Sequence, residues 1–430
     1  MNNKKPTKPR QTWERNNKQT TRHCEERSDV AIHSSLFETS VLTKDTVAIL
    51  NTFDEIIQGV RPLNSRQLQQ LPEHIRDLSH QLTDDRASRR LGYMNDNIQL
   101  SSYVRYYTWW NLVRLTRLFA NLPDSVFPDA DTTCLDLGSG PLTVVTALWL
   151  ARPELRKLHL TWYCLDVSAN SMALGEDIYL SVAAKAKAAD SSIEPWNIIR
   201  VKGPFGTPIK QKAGFLTCAN MFNELDQASD MPPEFQTKKY YEQLTRYTEK
   251  DAGIILVEPG VPKAARTLSL LRTRYIKDGR TIAAPCPHAE ECPMSGFKAY
   301  TGSKNKWCNF AFSTEDAPAR LQKLSTAAKL PKERATLSFM AVARDDSPVL
   351  AENSGNIRIT SDKLRLPDYM CGYYGCSEFG LVLVTLPDEN NTRLPKPPFR
   401  PQSGDLISIK IKTPDSLPKD EKSGALIIKL

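Results

Sequence analysis

No apolar run in this chain approaches the roughly 18 residues that a membrane-spanning helix needs. The first residues, MNNKKPTKPRQTWERNNKQ, lack the apolar segment of a secretory signal. A cytoplasmic location without membrane contact is therefore expected, and thiols stay reduced there. In that setting nine cysteines point to metal ligation, catalysis or burial rather than to disulfides. A strong charge bias is also missing. The 57 Lys and Arg against 49 Asp and Glu leave a net charge of +8, which permits a nucleic-acid partner without demanding one. What remains is an ordinary globular composition, 40% hydrophobic and 25% charged over 430 residues, enough for a sizeable core and two or three domains.

The chain divides by texture. Residues 1–44 are polar and basic with scattered Ser and Thr, which predicts a poorly ordered tail. Over 45–128, apolar residues recur at helical spacing, as in TVAILNTFDEIIQGV and YVRYYTWWNLVRLTRLFANLP, which predicts a helical region. The aromatics Tyr103, Tyr106, Tyr107, Trp109 and Trp110 fit helix packing better than base stacking. Over 129–348, short apolar runs alternate with helical stretches: TTCLDLGSGP, VVTALWLARPEL, LHLTWYCLDV, SANSMALGEDIYLSVAAKAKA, GFLTCANMFNEL and GIILVEPG. That alternation predicts an α/β fold with a doubly wound, Rossmann-like parallel sheet, whose ligands sit beyond the C-terminal strand ends. Over 349–430, strand-like runs such as FGLVLVTL and GALIIKL alternate with Pro-rich turns, which predicts a small β-rich domain. Lys363, Arg365, Arg393, Lys396, Arg400, Lys410 and Lys412 could there meet RNA phosphates.

The first strand end, LDLGSGP, carries Gly138 and Gly140, which let the backbone turn tightly and approach a ligand without Cβ interference. The following helix offers free N–H groups. The second strand ends at Asp166, placed to accept hydrogen bonds from ribose hydroxyls. Together these predict a nucleoside site. Thr143 stands where a dinucleotide fingerprint would have its third glycine. Asp136, two residues before the first glycine, resembles the first motif of class I S-adenosylmethionine-dependent methyltransferases. That resemblance implies that Asp136 braces the loop, that Gly138, Ser139, Gly140 and Pro141 lie under S-adenosylmethionine, and that Asp166 holds its ribose. It differs at Leu142, where the family has a third loop glycine, and at Lys202, where an acidic residue is common. The fourth strand ends in ANMFNEL, with Asn220 as a further cofactor contact and without the Asn/Asp-Pro-Pro-aromatic motif. Cys134, Cys164 and Cys218 fall inside apolar strands and read as core residues.

The segment 284–312 holds Cys286, Cys292 and Cys308, separated by five and then fifteen residues. A closed four-thiolate site needs one more, which YMCGYYGCSEFG supplies as Cys371 or Cys376. The first gap is wider than structural zinc favours, so a [4Fe–4S] cluster is expected, with zinc as the alternative. Proline after Cys286 and Cys292 holds each in extended backbone, as a ligand loop requires. His288 reads as a neighbour of the site rather than a ligand.

The order LDLGSGP, NEL, VEPG, CPH…CP…WCNF and a later Cys-x-x-x-Gly resembles the methyltransferase-like assembly proteins of the mitochondrial small ribosomal subunit and their bacterial relatives. The resemblance spans about residues 85–385. It implies a class I methyltransferase fold with an S-adenosylmethionine pocket, a [4Fe–4S] cluster on Cys286, Cys292, Cys308 and Cys376, and binding to small-subunit ribosomal RNA. Cys376 is preferred because CSEFGLVLV matches the family's Cys-x-x-x-Gly-apolar pattern, although Cys371 matches Cys-x-x-x-Gly too. Two functions follow from it: a methyltransferase acting on that RNA, or a non-catalytic assembly factor on the same fold.

Overall fold

The computed structural model describes residues 31–83, 94, 96–187, 193–227, 231–297, 306–344, 355–391, 393, 399–409 and 416–430. A short strand, β1 (Ala31–Ser34), precedes helices α1 (Lys44–Asn51), α2 (Phe53–Val60), α3 (Ser65–Thr83) and α4 (Asn97–Tyr103). Thr43 caps α1 by accepting from the Thr46 N–H at 3.2 Å, and Asp96 caps α4 by accepting from Ile98 and Gln99 at 2.9 and 2.8 Å. Each cap satisfies backbone donors that the first helical turn leaves unpaired. A π-helical turn, Val104–Thr108, joins α4 to α5 (Trp109–Ala120). The indole of Trp109 donates to Leu50 O at 2.8 Å, so α5 is tied to α1. Trp109, Trp110 and Tyr106 are buried, as expected, but Tyr103 and Tyr107 are only half-buried.

The α/β region then runs β2 (Thr133–Leu137), α6 (Thr143–Ala151), β3 (Thr161–Asp166), α7 (Ala169–Lys187), β4 (Asn197–Lys202), β5 (Ala213–Ala219), α8 (Phe222–Gln227), α9 (Pro233–Tyr247), β6 (Thr248–Glu258), α10 (Pro262–Lys277), β7 (Ile282–Ala284), β8 (Phe310–Ser313), α11 (Ala319–Ala327) and β9 (Arg334–Val342). The sheet order is β4-β3-β2-β5-β6-β9-β7. β2 to β6 pair in parallel, whereas β9 runs antiparallel to β6 and β7. The order reverses between β2 and β5, and such a reversal opens a crevice at the carboxyl ends of the strands. Helices cover both faces. Trp149, Trp162 and Phe215 fill the layer beneath α5, α6 and α7, and Leu216, Leu256 and Tyr275 fill the layer beneath α9 and α10. All nine residues of α6 are buried, which explains why its sequence is apolar all round. The short β7 and β8, on either side of the cysteine segment, escaped the sequence reading because each is too brief to show alternation.

The second sheet contains β10 (Asn356–Ile359), β11 (Leu364–Leu366), β12 (Met370–Ser377), β13 (Gly380–Pro387), β14 (Leu406–Ser408) and β15 (Leu426–Lys429), with β1 at its edge. β1 pairs antiparallel with β14, Ala31 opposite Ser408. The described part of residues 1–44 adds a strand to the C-terminal sheet and buries Leu36 and Phe37, and Phe37 stacks near Phe312 at 4.7 Å. Polar composition concealed this, because an edge strand needs only backbone groups to pair. Residues 1–30 of the expected tail lie outside the described residues.

Candidate functional site

The cleft at the switch point is bordered by Gly138, Ser139, Gly140, Pro141, Asp166, Asn220, Met221 and Glu224, with Tyr103, Asn111 and Leu115 from the N-terminal helices. All the residues expected to contact the cofactor line it except Asp136, which lies underneath. Gly138 and Gly140 have φ of +66° and +47°, in the left-handed region that glycine adopts without strain. A Cβ on Gly138 would stand 3.0 Å from Met221 Cβ, so a side chain there would crowd the cleft wall. Leu142 also has positive φ, +51°, and its N–H bonds Ser139 O at 2.8 Å. The loop thus makes its turn with leucine where the related motif has glycine.

Asp166 accepts from Gly140 N at 2.9 Å and from Ser168 N at 2.8 Å. One carboxylate therefore clamps the glycine loop to the end of β3 while lining the cleft. Burial raises its pKa above the ordinary carboxyl range, against the hydrogen bonds from Ser168 and Gly140. Asp136 is fully buried. Its Oδ1 accepts from Thr217 Oγ1 at 2.7 Å, and its Oδ2 has no hydrogen-bond partner. Burial raises its pKa to about 7, opposed by Thr217 and Ser139, so near neutrality the group is poised between acid and carboxylate. Glu258, at the end of β6, is fully buried and accepts from Phe222 N and Asn223 N at 2.9 and 3.0 Å. It anchors the start of α8, and with it Met221 and Asn220. Cys134, Cys164 and Cys218 are buried as expected, and burial drives their thiols well above the ordinary range.

The sequence reading missed the helical wall of this cleft. Arg114 donates to Asn111 Oδ1 at 3.0 Å, to Asn220 Oδ1 at 3.2 Å and to Thr336 O at 2.9 Å. Helical periodicity marked Arg114 only as a polar position, and nothing in the sequence signalled that it meets a strand end 106 residues away.

The cysteines gather elsewhere. Cys286, Cys292 and Cys308 line one small cavity with Leu268, Arg272 and Met340. Cys376 reaches the same region from β12, where the His288 Nε2 lies 3.0 Å from its Sγ. Arg272 donates to Cys286 Sγ at 3.1 Å and to His288 O at 2.7 Å. Burial works against its charge, but Cys286, Cys292 and Cys376 outweigh it and raise its pKa. Arg358 donates to Pro285 O at 3.0 Å, placing a second buried cation beside the thiols. Burial lowers the His288 pKa to about 4, helped by Arg272. Cys371 is five residues from Cys376 on one strand, hence on the opposite face; its thiol lies 3.5 Å from Leu386 O in the core of the second sheet. Among the described residues no three His, Cys, Asp or Glu side chains stand at single-ion ligand geometry.

Of the basic residues expected to meet RNA, Lys363 pairs with Asp388 at 2.8 Å and Glu389 at 3.3 Å, and Arg400 lies 3.7 Å from Glu389. Those acids offset part of the positive field. Lys396, Lys410 and Lys412 lie outside the described residues.

The family model described as mitochondrial small ribosomal subunit Rsm22 matches residues 115–361. The chain belongs to the Rsm22 family. The match spans the glycine loop, Asp166, Asn220, Cys286, Cys292 and Cys308, and it ends before Cys376. No curated protein matches the chain. Among solved structures, a SAM-dependent methyltransferase from Geobacter sulfurreducens in complex with S-adenosyl-L-homocysteine is 12% identical. The alignment covers 54% of this chain and 89% of that one, with a TM-score of 0.29. A putative class I S-adenosylmethionine-dependent methyltransferase from Listeria monocytogenes is 11% identical over 72% and 90% of the two chains, with a TM-score of 0.29. These likenesses are too distant to assign an activity. The fold of this Rsm22-family chain is α/β, with a mixed sheet and flanking helices. Among the described residues no helix is long and apolar enough to cross a membrane. The family's printed description is mitochondrial and does not repeat the expected cytoplasmic location.

Proposed function

We propose that this chain is an S-adenosylmethionine-binding, iron–sulfur-containing methyltransferase-like protein that acts on small-subunit ribosomal RNA or particles during ribosome assembly. The observation that carries the cofactor reading is the Asp166 clamp, which holds the glycine loop and the second strand end around one cleft. The unpartnered Asp136 Oδ2 beneath that loop suits a ligand that brings positive charge, as a methionine-type cofactor does. The partner reading rests on family membership.

Cys286, Cys292 and Cys308, which border one largely apolar cavity, and Cys376 beside His288 supply a soft donor set for a [4Fe–4S] cluster, with Arg272 and Arg358 offsetting thiolate charge. The wide first gap favours a cluster over zinc. Bound there, it would cross-link the α/β sheet to β12 of the second sheet, so ligation would contribute to folding.

A second reading, a non-catalytic assembly factor, is favoured by the acceptor end of the cleft. Asn220 is tied to Arg114 there, and Cys218 is a buried, high-pKa thiol rather than an available nucleophile. The deciding experiment incubates anaerobically purified protein with immature small subunits from cells lacking it and methyl-labelled S-adenosylmethionine. Label that enters the ribosomal RNA and disappears with Asp166→Ala establishes the enzyme. Tight particle binding without label establishes the assembly factor. Phosphate contacts also predict that RNA affinity falls by roughly a thousandfold between low and moderate salt; affinity indifferent to salt would contradict RNA binding through the basic residues.

A further inference from the structure

The helical wall of the cleft carries an arrangement built around Arg114. An arginine side chain has only donors. Arg114 must therefore be facing the amide oxygens of Asn111 and Asn220, and both bonds come from the same guanidinium nitrogen, Nη2, at 3.0 and 3.2 Å. The two amides are neighbours with fixed orientation, and their NH₂ groups are turned away from Arg114. Both residues line the cleft. Asn220 is held with φ of +61°, a conformation uncommon for a side chain larger than glycine and concentrated at functional sites. Arg114 is in turn fixed by Thr336 O at 2.9 Å.

Beside the amides stands Tyr103, also on the cleft. The π-helical turn that follows it stacks Tyr107 against its ring, with centroids 5.4 Å apart and planes 27° from parallel. Tyr106 meets Tyr107 edge-on at 5.1 Å. The wall thus offers a supported aromatic face next to two aligned hydrogen-bond donors.

We infer that Tyr103, Asn111 and Asn220, positioned by Arg114, form a subsite for one unstacked nucleobase whose edge presents two adjacent acceptors. An aromatic face takes any base, whereas edge donors select among them. Cytosine offers O2 beside N3, and guanine offers O6 beside N7. Adenine and uracil alternate donor with acceptor along their edges, so each would leave one amide NH₂ facing another donor. The subsite rests on the reading that the cleft serves RNA beside a cofactor, and it names what that RNA must present.

The test measures binding of full-length, anaerobically purified protein to uridylate hexamers carrying a single central C, G, A or U, with and without S-adenosylhomocysteine. The expected result is about tenfold tighter binding of the C or G hexamer than of the A and U hexamers. Asn111→Asp keeps a partner for Arg114 but replaces the donor NH₂ with an acceptor oxygen. It should abolish the preference among the four hexamers. Tyr103→Leu should weaken all hexamers about tenfold, and Tyr103→Phe should restore them. Equal affinity for the four hexamers, or a preference that survives Asn111→Asp, overturns the inference. Failure of the unmodified protein to bind S-adenosylhomocysteine would instead defeat the cofactor reading, and the hexamer comparison made without it would still be decisive for the subsite.

Discussion

The cleft and the cysteine cavity use polar groups in opposite ways. At the cleft, most polar groups hold one another before any ligand arrives: Asp166 holds Gly140 and Ser168, Glu258 holds Phe222 and Asn223, and Arg114 holds Asn111 and Asn220, while Asp136 Oδ2 stands apart from this network. At the cavity, burial leaves Cys292, Cys308 and Cys376 with raised thiol pKa values, beside two buried arginines, of which Arg272 donates to Cys286 Sγ at 3.1 Å and Arg358 to the carbonyls of Pro285 and Gly404 at 3.0 and 2.7 Å. On the reading proposed above, the second site is a donor set whose thiols become thiolates on metal ligation, so the chain would pair a largely preformed cleft with a site whose stability depends on what binds it.

The sharpest way to break this contrast is Cys308→Ser in anaerobically purified protein. Loss of iron and sulfide, with several kcal/mol of stability lost in chemical denaturation, is the expected outcome. Unchanged solubility and thermal midpoint would show that the cavity is as self-sufficient as the cleft.

Asp136 probes the cleft with an intermediate effect. Its pKa moves from 3.8 to about 7 on folding. A carboxyl raised in this way stabilises the fold fully below about pH 4, and that contribution is lost as pH rises through about 7. Relative to Asp136→Asn, the native protein should lose at most about 4 kcal/mol between pH 4 and pH 8. Urea titrations across that range check the sign, and a difference that grows in the other direction would refute it.

The smallest effect belongs to Cys371→Ala. This thiol faces the core of the second sheet, so iron content should stay intact while stability falls by about 1–2 kcal/mol. Iron loss in this variant, with retention in Cys376→Ala, would reverse the choice between the two cysteines.

Most of the cleft was legible because one βαβ unit builds it. Gly138, Gly140 and Asp166 lie at two consecutive strand ends, and the periodicity of the runs between them announces the sheet. The helical wall was not legible, since Arg114 meets Asn220 through packing of α5 across the top of the sheet, and no local pattern encodes that contact. The cavity falls between these cases. Its three loop cysteines stand out by composition, but the fourth required knowing which face of β12 meets His288. β1 was hidden for a similar reason, because backbone pairing at a sheet edge leaves little trace in side-chain pattern.

By itself the sequence determined the parallel α/β alternation, the glycine turn with its acidic partners and the supply of thiols. These follow from local periodicity, backbone freedom and residue chemistry. Only the tertiary structure decided that β1 closes onto the C-terminal sheet, that Cys376 meets His288 while Cys371 enters the core of the second sheet, and that Arg114 aligns two amides beside Tyr103. Each of those joins residues far apart in the chain, and long-range packing, not local preference, selects which distant groups meet.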